Sequence, residues 1–137
     1  VPQDKREALG HAFVQALQTR DAHASPAEMN IAYEKAFRAP CLVLAVLSHA
    51  PSEPQVPAHE RLISLGAAIQ NMVLMAQTLS IGSGITSGQS MNASSIRDFF
   101  KLDADETCIC YVAFGHVSRH KPQRKRSEPT AFVSVLD

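Results

Sequence analysis

Neither sign of charge is in excess: 13 Lys and Arg face 13 Asp and Glu in a chain of 137 residues. Bulk attraction to a polyanion is thereby excluded. Cysteine is scarce. Cys41, Cys108 and Cys110 are odd in number, and Cys-x-Cys is tighter than the two-residue spacing of zinc ligands. Neither a disulfide framework nor a metal centre is expected. Each cysteine falls in an apolar run that reads as strand. All three are therefore expected to be buried structural thiols, suited to a reducing, cytoplasmic compartment. A strand period of two would turn Cys108 and Cys110 to the same face.

Other signatures are missing as well. The first twenty residues mix charges and contain no apolar h-region, so no secretory signal is read there. The six histidines, at 11, 23, 49, 59, 116 and 120, show no H-E-x-x-H or other ligand spacing. No G-x-S-x-G elbow exists, so Ser94, Ser95 and His116 are given no role in nucleophilic catalysis. The G-x-G-x-x-G fingerprint and the phosphate-loop Lys-Ser/Thr are absent. No repeat or low-complexity segment appears.

What is present fits one globular domain with 45% hydrophobic residues. Leu9, Ala12, Phe13, Ala16 and Leu17 recur at helical spacing and predict a helix from about residue 2 to 19. Ser25-Pro26-Ala27-Glu28 is a helix start with a capping box. Its apolar stripe is Met29, Ala32, Tyr33, Ala36 and Phe37, and Pro40 ends it. Residues 41–47 read as a buried strand. Residues 62–80 carry no charge over nineteen positions, a length at which a membrane span must be weighed. Ser64, Gln70, Asn71, Gln77 and Thr78 argue instead for a central helix buried on most sides. A short helix with a box-like start at Ser95 and Asp98 follows, then a strand over 107–114 ending at Gly115, and a last strand over 131–136. The order is α+β, without regular βαβ alternation. Three strands make a thin sheet, so further strands are expected from upstream residues or a partner.

Two segments carry the functional signal. Residues 82–88, Gly-Ser-Gly-Ile-Thr-Ser-Gly, hold three of the six glycines. Such a loop lets a backbone lie against a flat or anionic ligand, and it equally suits a plain connection. Residues 119–126 hold five of the thirteen Lys and Arg. That run reads as a solvated loop, a phosphate clamp or a nucleic-acid contact. Pro122 prevents a continuous basic helix, and no aromatic residue interleaves the charges as a stacking platform would require.

The run F-R-A-P-C-L-V-L, the helix L-G-A-A-I-Q-N-M-V-L-M-A-Q-T-L, the loop I-G-S-G-I-T-S-G, then S-I-R-D-F-F-K-L and V-A-F-G follow one another in order. This series resembles the nitroreductase family of FMN-dependent oxidoreductases, particularly its short members. The resemblance implies an α+β sandwich, with a central antiparallel or mixed sheet flanked by helices, in a homodimer with FMN at the interface. The C-terminal strand would pair with the partner's sheet. It implies cofactor contacts at Ile85, Thr86, Ser87 and Gly88 near the flavin N5 edge, with Ile85 and Thr86 replacing an aromatic-basic pair of some relatives. Arg124 and Arg126 would hold the FMN phosphate, with Lys125 as a substitute, because guanidinium pairs phosphate in bidentate fashion.

The implied activity is two-step: NADH or NADPH gives hydride to FMN, which reduces a nitroaromatic, quinone or similar small acceptor. No catalytic side chain, metal, membrane or nucleic-acid partner is expected. The family's Arg-Arg-Ser and Pro/Ser-Asn-Gln segments do not occur in the chain, which begins at Val1. Residues 1–137 are therefore expected to form a single domain lacking its N-terminal portion, the alternative being a shortened homologue with impaired FMN binding. The rival reading is a non-catalytic dimer that binds anions or nucleic acid through residues 119–126.

Overall fold

The computed structural model describes residues 1–49, 55–118, 122 and 125–136. At its centre lies strand β3 (Glu106–Gly115), flanked antiparallel by β1 (Cys41–Ser48) and β2 (Gly82–Thr86). Helices α1 (Arg6–Arg20), α2 (Pro26–Glu34) and α4 (Ser94–Phe100) cover one face of this sheet, and α3 (Ala58–Thr78) covers the other. The arrangement is the expected α+β sandwich, with a three-stranded antiparallel sheet among the described residues.

The face under α1 forms the larger core. Leu9, Ala12, Phe13 and Ala16, the predicted stripe, pack with Ala32, Ala36, Leu42, Ile96 and Tyr111. Gly10 is required there: a Cβ would come within 2.6 Å of the Tyr33 ring, so its absence sets how closely α1 and α2 approach. The α2 start has the capping box read from Ser25 and Glu28. Glu28 Oε2 accepts from the Ser25 amide at 2.8 Å and its hydroxyl at 2.7 Å. These bonds hold the Glu28 carboxyl below its usual range. The helix ends at Glu34, and a 3-10 turn, Lys35–Phe37, leads to Pro40.

Arg6 is buried in the same layer, 1% exposed. Its guanidinium donates to the carbonyls of Val1 at 3.1 Å, Ala36 at 2.7 Å and Pro40 at 3.2 Å. A buried cation is tolerated when its donors are satisfied in this way. The three carbonyls tie the start of α1 to the turn before β1.

Several expectations are corrected. Residues 82–88 are not all loop, because Gly82–Thr86 pair with Tyr111 to Gly115 as an edge strand. The turn into that strand is a Schellman cap: Ile81 N–H donates to Ala76 O at 2.8 Å and Ser80 N–H to Gln77 O at 3.0 Å. Ser80 takes the left-handed conformation, φ 57°, where glycine is usual.

Cys108 and Cys110 do not share a face. Ala45 pairs with Cys110 and Val46 with Cys108, so Ile109 is an extra residue. A one-residue bulge inverts the alternation. Cys108 thus joins the α1 core and Cys110 the α3 core. Asn92 stands in for a strand partner beside the bulge, accepting from Cys108 N–H at 3.1 Å and donating to its carbonyl at 3.4 Å. Cys41, at the start of β1, is exposed.

Ser95 is not a cap. Ala93 precedes α4, and the buried Ser95 hydroxyl donates to Ala12 O at 2.8 Å, fastening α4 to α1.

The central helix begins at Ala58, just after Pro57, and is not buried on most sides. Only Ile69 and Ala76 are buried, while Ile63, Met75 and Leu79 are 68%, 60% and 62% exposed. Its 21 residues span roughly 30 Å. Three strands at about 4.8 Å spacing offer a much narrower seat. No helix among the described residues is long and apolar enough to cross a membrane. The expected last strand is also not formed among the described residues. A 3-10 turn, Pro129–Ala131, leads to Phe132, Val133, Val135 and Leu136, all exposed.

Candidate functional site

Beyond Thr86 the β2 ladder stops, and residues 87–93 continue as an irregular connection to α4. A cleft of about 290 Å³ lies there beside the sheet. Thr86, Ser87, Gly88, Gln89 and Ser90 form one wall. Phe13, Leu42, Met91, Tyr111 and Ala113 contribute apolar surface. Arg20, Lys35 and Arg38 complete the lining, which contains no acidic residue.

Strand alternation decides which of the predicted residues meet there. Thr86 pairs with Tyr111, on the α1 face, and Ile85 pairs with Val112, on the α3 face. Thr86, Ser87 and Gly88 therefore line the cleft together, while Ile85 lies on the opposite side of the sheet, 55% exposed. A Cβ at Gly88 would meet no atom within 4 Å, so the backbone there is open to close approach. Arg126 is exposed, does not line this cleft, and has no regular secondary structure around it. Arg124 lies outside the described residues, as do Arg119, His120, Lys121 and Gln123 of the basic run.

Two features sharpen the electrostatics. Lys35 is half-buried, and its pKa is pushed down by burial first, then by the Arg38 and Arg20 charges. Among the described residues none of the three cations pairs with a carboxylate. Tyr111 is 4% exposed, and its buried hydroxyl has no hydrogen-bond partner among the described residues. Burial, then the Cys108 charge, pushes its phenol pKa up, so Tyr111 stays neutral. A neutral phenol and three cations beside an open backbone suit an anionic ligand with a polar, flat portion.

The three cations escaped the sequence reading because they come from separate segments. Arg20 ends α1, Lys35 opens the turn after α2, and Arg38 precedes Ala39-Pro40. The sequence signal was their placement at or after helix ends, ahead of the strand that follows F-R-A-P. Nothing along the chain announced that they converge. Among the described residues no group of three His, Cys, Asp or Glu is placed to hold a metal ion.

A second concavity of about 690 Å³ lies on the α3 side, between the end of α3 and the sheet. Met72, Met75, Leu79, Ile81 and Phe114 line it, with Pro40 and His116 at its border. It carries no charged cluster and is continuous with the exposed apolar face of α3.

The comparisons agree with this architecture. The model of the nitroreductase family matches residues 1–116. No curated protein matches the sequence. Among solved structures, a nitroreductase-like family protein from Bacillus cereus superposes with a TM-score of 0.77 at 15% identity. That match covers 96% of this chain and 67% of the other. A mutant of the FMN and NADPH-dependent nitroreductase NfnB, derived from sphigopyxis sp. strain HMH, superposes with a TM-score of 0.59 at 18% identity. It covers 96% of this chain and 57% of the other, so the chain spans little more than half the length of that relative.

Proposed function

The chain belongs to the nitroreductase family of oxidoreductases, and from that premise we propose that it acts as an FMN-dependent NAD(P)H oxidoreductase on nitroaromatic, quinone or similar small acceptors. The observation that carries the proposal is the cleft in which Thr86, Ser87 and Gly88 stand together. The residues present fit a flavin there on two counts. The backbone at Gly88 is open, and a buried phenol hydroxyl of the cleft wall lacks a partner among the described residues. The chemistry FMN supplies when bound is two-electron transfer between NADH or NADPH and the acceptor. The backbone amides of Ser87 and Gly88, beyond the end of the ladder, would be the donors that hold the redox edge of the ring. Arg126 and Arg124, carried over from the family resemblance, would hold the FMN phosphate, for which a guanidinium is suited. No side chain of this chain need transfer a proton in covalent catalysis, and the protein's part is orientation and fixed dipoles.

The reading includes a homodimer. Ile63, Met75 and Leu79 on α3 and Phe132, Val135 and Leu136 near the C-terminus are exposed apolar groups in one copy. Exposed apolar groups in this number support an association site. A second copy would cover α3, and its residues 131–136 would extend the sheet by pairing at a free edge.

The test is optical. Purified protein should carry the visible absorbance of oxidised flavin and bleach when NADPH or NADH is added without oxygen. A colourless protein that takes up no FMN on reconstitution would refute the assignment. Arg124→Ala with Arg126→Ala should weaken FMN retention on dialysis, followed by flavin fluorescence, with little change in fold.

A further inference from the structure

Arg20, Lys35 and Arg38 have no part in the flavin contacts proposed above. A local reading explains two of them singly. Arg20 is in the last turn of α1 and Lys35 follows the end of α2, where positive charge complements the helix dipole. It does not explain Arg38, nor why all three line one cleft without an acidic residue. Like charges brought together repel, and the lowered Lys35 pKa reflects that repulsion added to burial. The arrangement is held from beneath. Arg6, fully buried, grips Ala36 O and Pro40 O, the two carbonyls that bracket Arg38. Thr86, Ser87 and Ser90 add hydroxyl donors on the facing wall.

We infer that Arg20, Lys35 and Arg38 form a phosphate subsite in the cleft of Thr86, Ser87 and Gly88. Phosphate fits better than carboxylate, because a dianion with three peripheral oxygens can engage three cations and neutralise most of their charge. The phosphate belongs either to the flavin or to the nicotinamide dinucleotide. Only this identity of the ligand rests on the function proposed above. The subsite itself rests on the cleft.

Inorganic pyrophosphate serves as the probe, titrated into purified protein while NMR follows the Arg20 and Arg38 Nε–H and the Lys35 Nζ signals. Saturable shifts at all three are expected, with the Lys35 pKa rising towards its ordinary value as the anion binds. The combined variant Arg20→Gln, Lys35→Gln, Arg38→Gln should lose at least about tenfold in affinity, the factor that a single charge-assisted bond is worth, and up to about a thousandfold if all three bonds form fully. These side chains are exposed or half-buried, so the variant should keep its circular dichroism and melting temperature. Lys5→Gln, an exposed cation outside the cleft, should bind like the parent.

Two arms separate the sources. If saturating FMN, but not riboflavin, abolishes pyrophosphate binding, the subsite holds the flavin phosphate in place of Arg124 and Arg126. If pyrophosphate still binds to flavin-loaded protein and NADPH displaces it, the subsite holds the dinucleotide. Colourless protein that binds pyrophosphate through these residues removes the flavin reading and leaves the subsite intact. Absence of saturable shifts at the three cations, or equal affinity in the combined variant, overturns the inference.

Discussion

The two faces of the sheet are built to different degrees of completion. Under α1 the layer is closed by this chain alone: Leu9, Ala36 and Ile96 are 0% exposed, and Arg6 is buried with its donors engaged. Under α3 the buried set is small, with Ala45, Ile69, Cys110 and Val112 at its heart. The same helix leaves Ile63, Met75 and Leu79 in solvent. The closed face carries the candidate site, with its cations placed by a buried scaffold. The open face carries apolar surface and, among the described residues that line its concavity, no charge cluster. A rigid, self-sufficient layer suits a site that must hold a geometry. An unfinished layer suits association.

The contrast can be broken from the closed side first. Leu9→Ala should cost roughly 2–5 kcal/mol, the range for a large core side chain truncated where neighbours cannot collapse. Arg6→Ala should cost about 3 kcal/mol or more, because it empties a buried site and leaves one buried and two partly buried carbonyls short of a donor. Urea titration measures both. Arg6→Ala should also weaken pyrophosphate binding in the cleft, because it frees the turn that carries Lys35 and Arg38.

On the open side the larger effect should fall on association. Ile63→Lys with Met75→Lys should weaken self-association roughly tenfold or more, read by sedimentation equilibrium. Chemical stability of the separated chain should move little, since both side chains are already mostly exposed. A large loss of stability with unchanged association would reverse the assignment of the two faces.

Thiol reactivity sharpens the comparison without altering packing. Cys41 is exposed and should react promptly with an aromatic disulfide near neutral pH. Cys108 and Cys110 should react only on unfolding. Burial pushes both thiols up, one in each core, with Arg97 opposing and Glu106 adding at Cys108. If Cys110 reacts well before Cys108, the α3 face opens first.

The smallest expected effects are local. Ser80→Gly should stabilise by about 0.5–1 kcal/mol, since glycine adopts the left-handed cap conformation without a Cβ penalty. Ser25→Ala should cost about 1 kcal/mol through loss of the cap. The Glu28 carboxyl lies below its unfolded value of 4.5 when folded. Its contribution is therefore complete above pH 4.5 and lost as the pH falls through the lower, folded value. Thermal melts of parent and Glu28→Gln should converge in that acid window and separate above it.

Much of the architecture was legible along the chain because it follows from neighbours in sequence. The stripe of α1, the capping box of α2 and the strand after Pro40 are governed by side-chain period and by proline. The failures share a different cause. The bulge at Ile109 inverted the faces of Cys108 and Cys110, and no local pattern marks which strand takes an extra residue. The uncharged run 62–80 read as buried, yet burial of a long helix depends on the width of what it lies on. In the candidate site, composition and resemblance pointed to Thr86, Ser87 and Gly88, which line one cleft. They did not point to Arg20, Lys35 and Arg38, which are eighteen positions apart at the extremes and joined only across the ends of two helices and a turn.

Periodicity, caps and breakers, all acting within a few residues, settled on their own where the helices and the strands β1 and β3 form and which side chains of α1 face inward. Only the folded arrangement decided that one layer would be complete and the other open, that Ile85 and Thr86 would part to opposite faces, and that three distant cations would meet. Those outcomes depend on strand register and on elements remote in the chain being brought into contact, and short-range preferences carry no information about either.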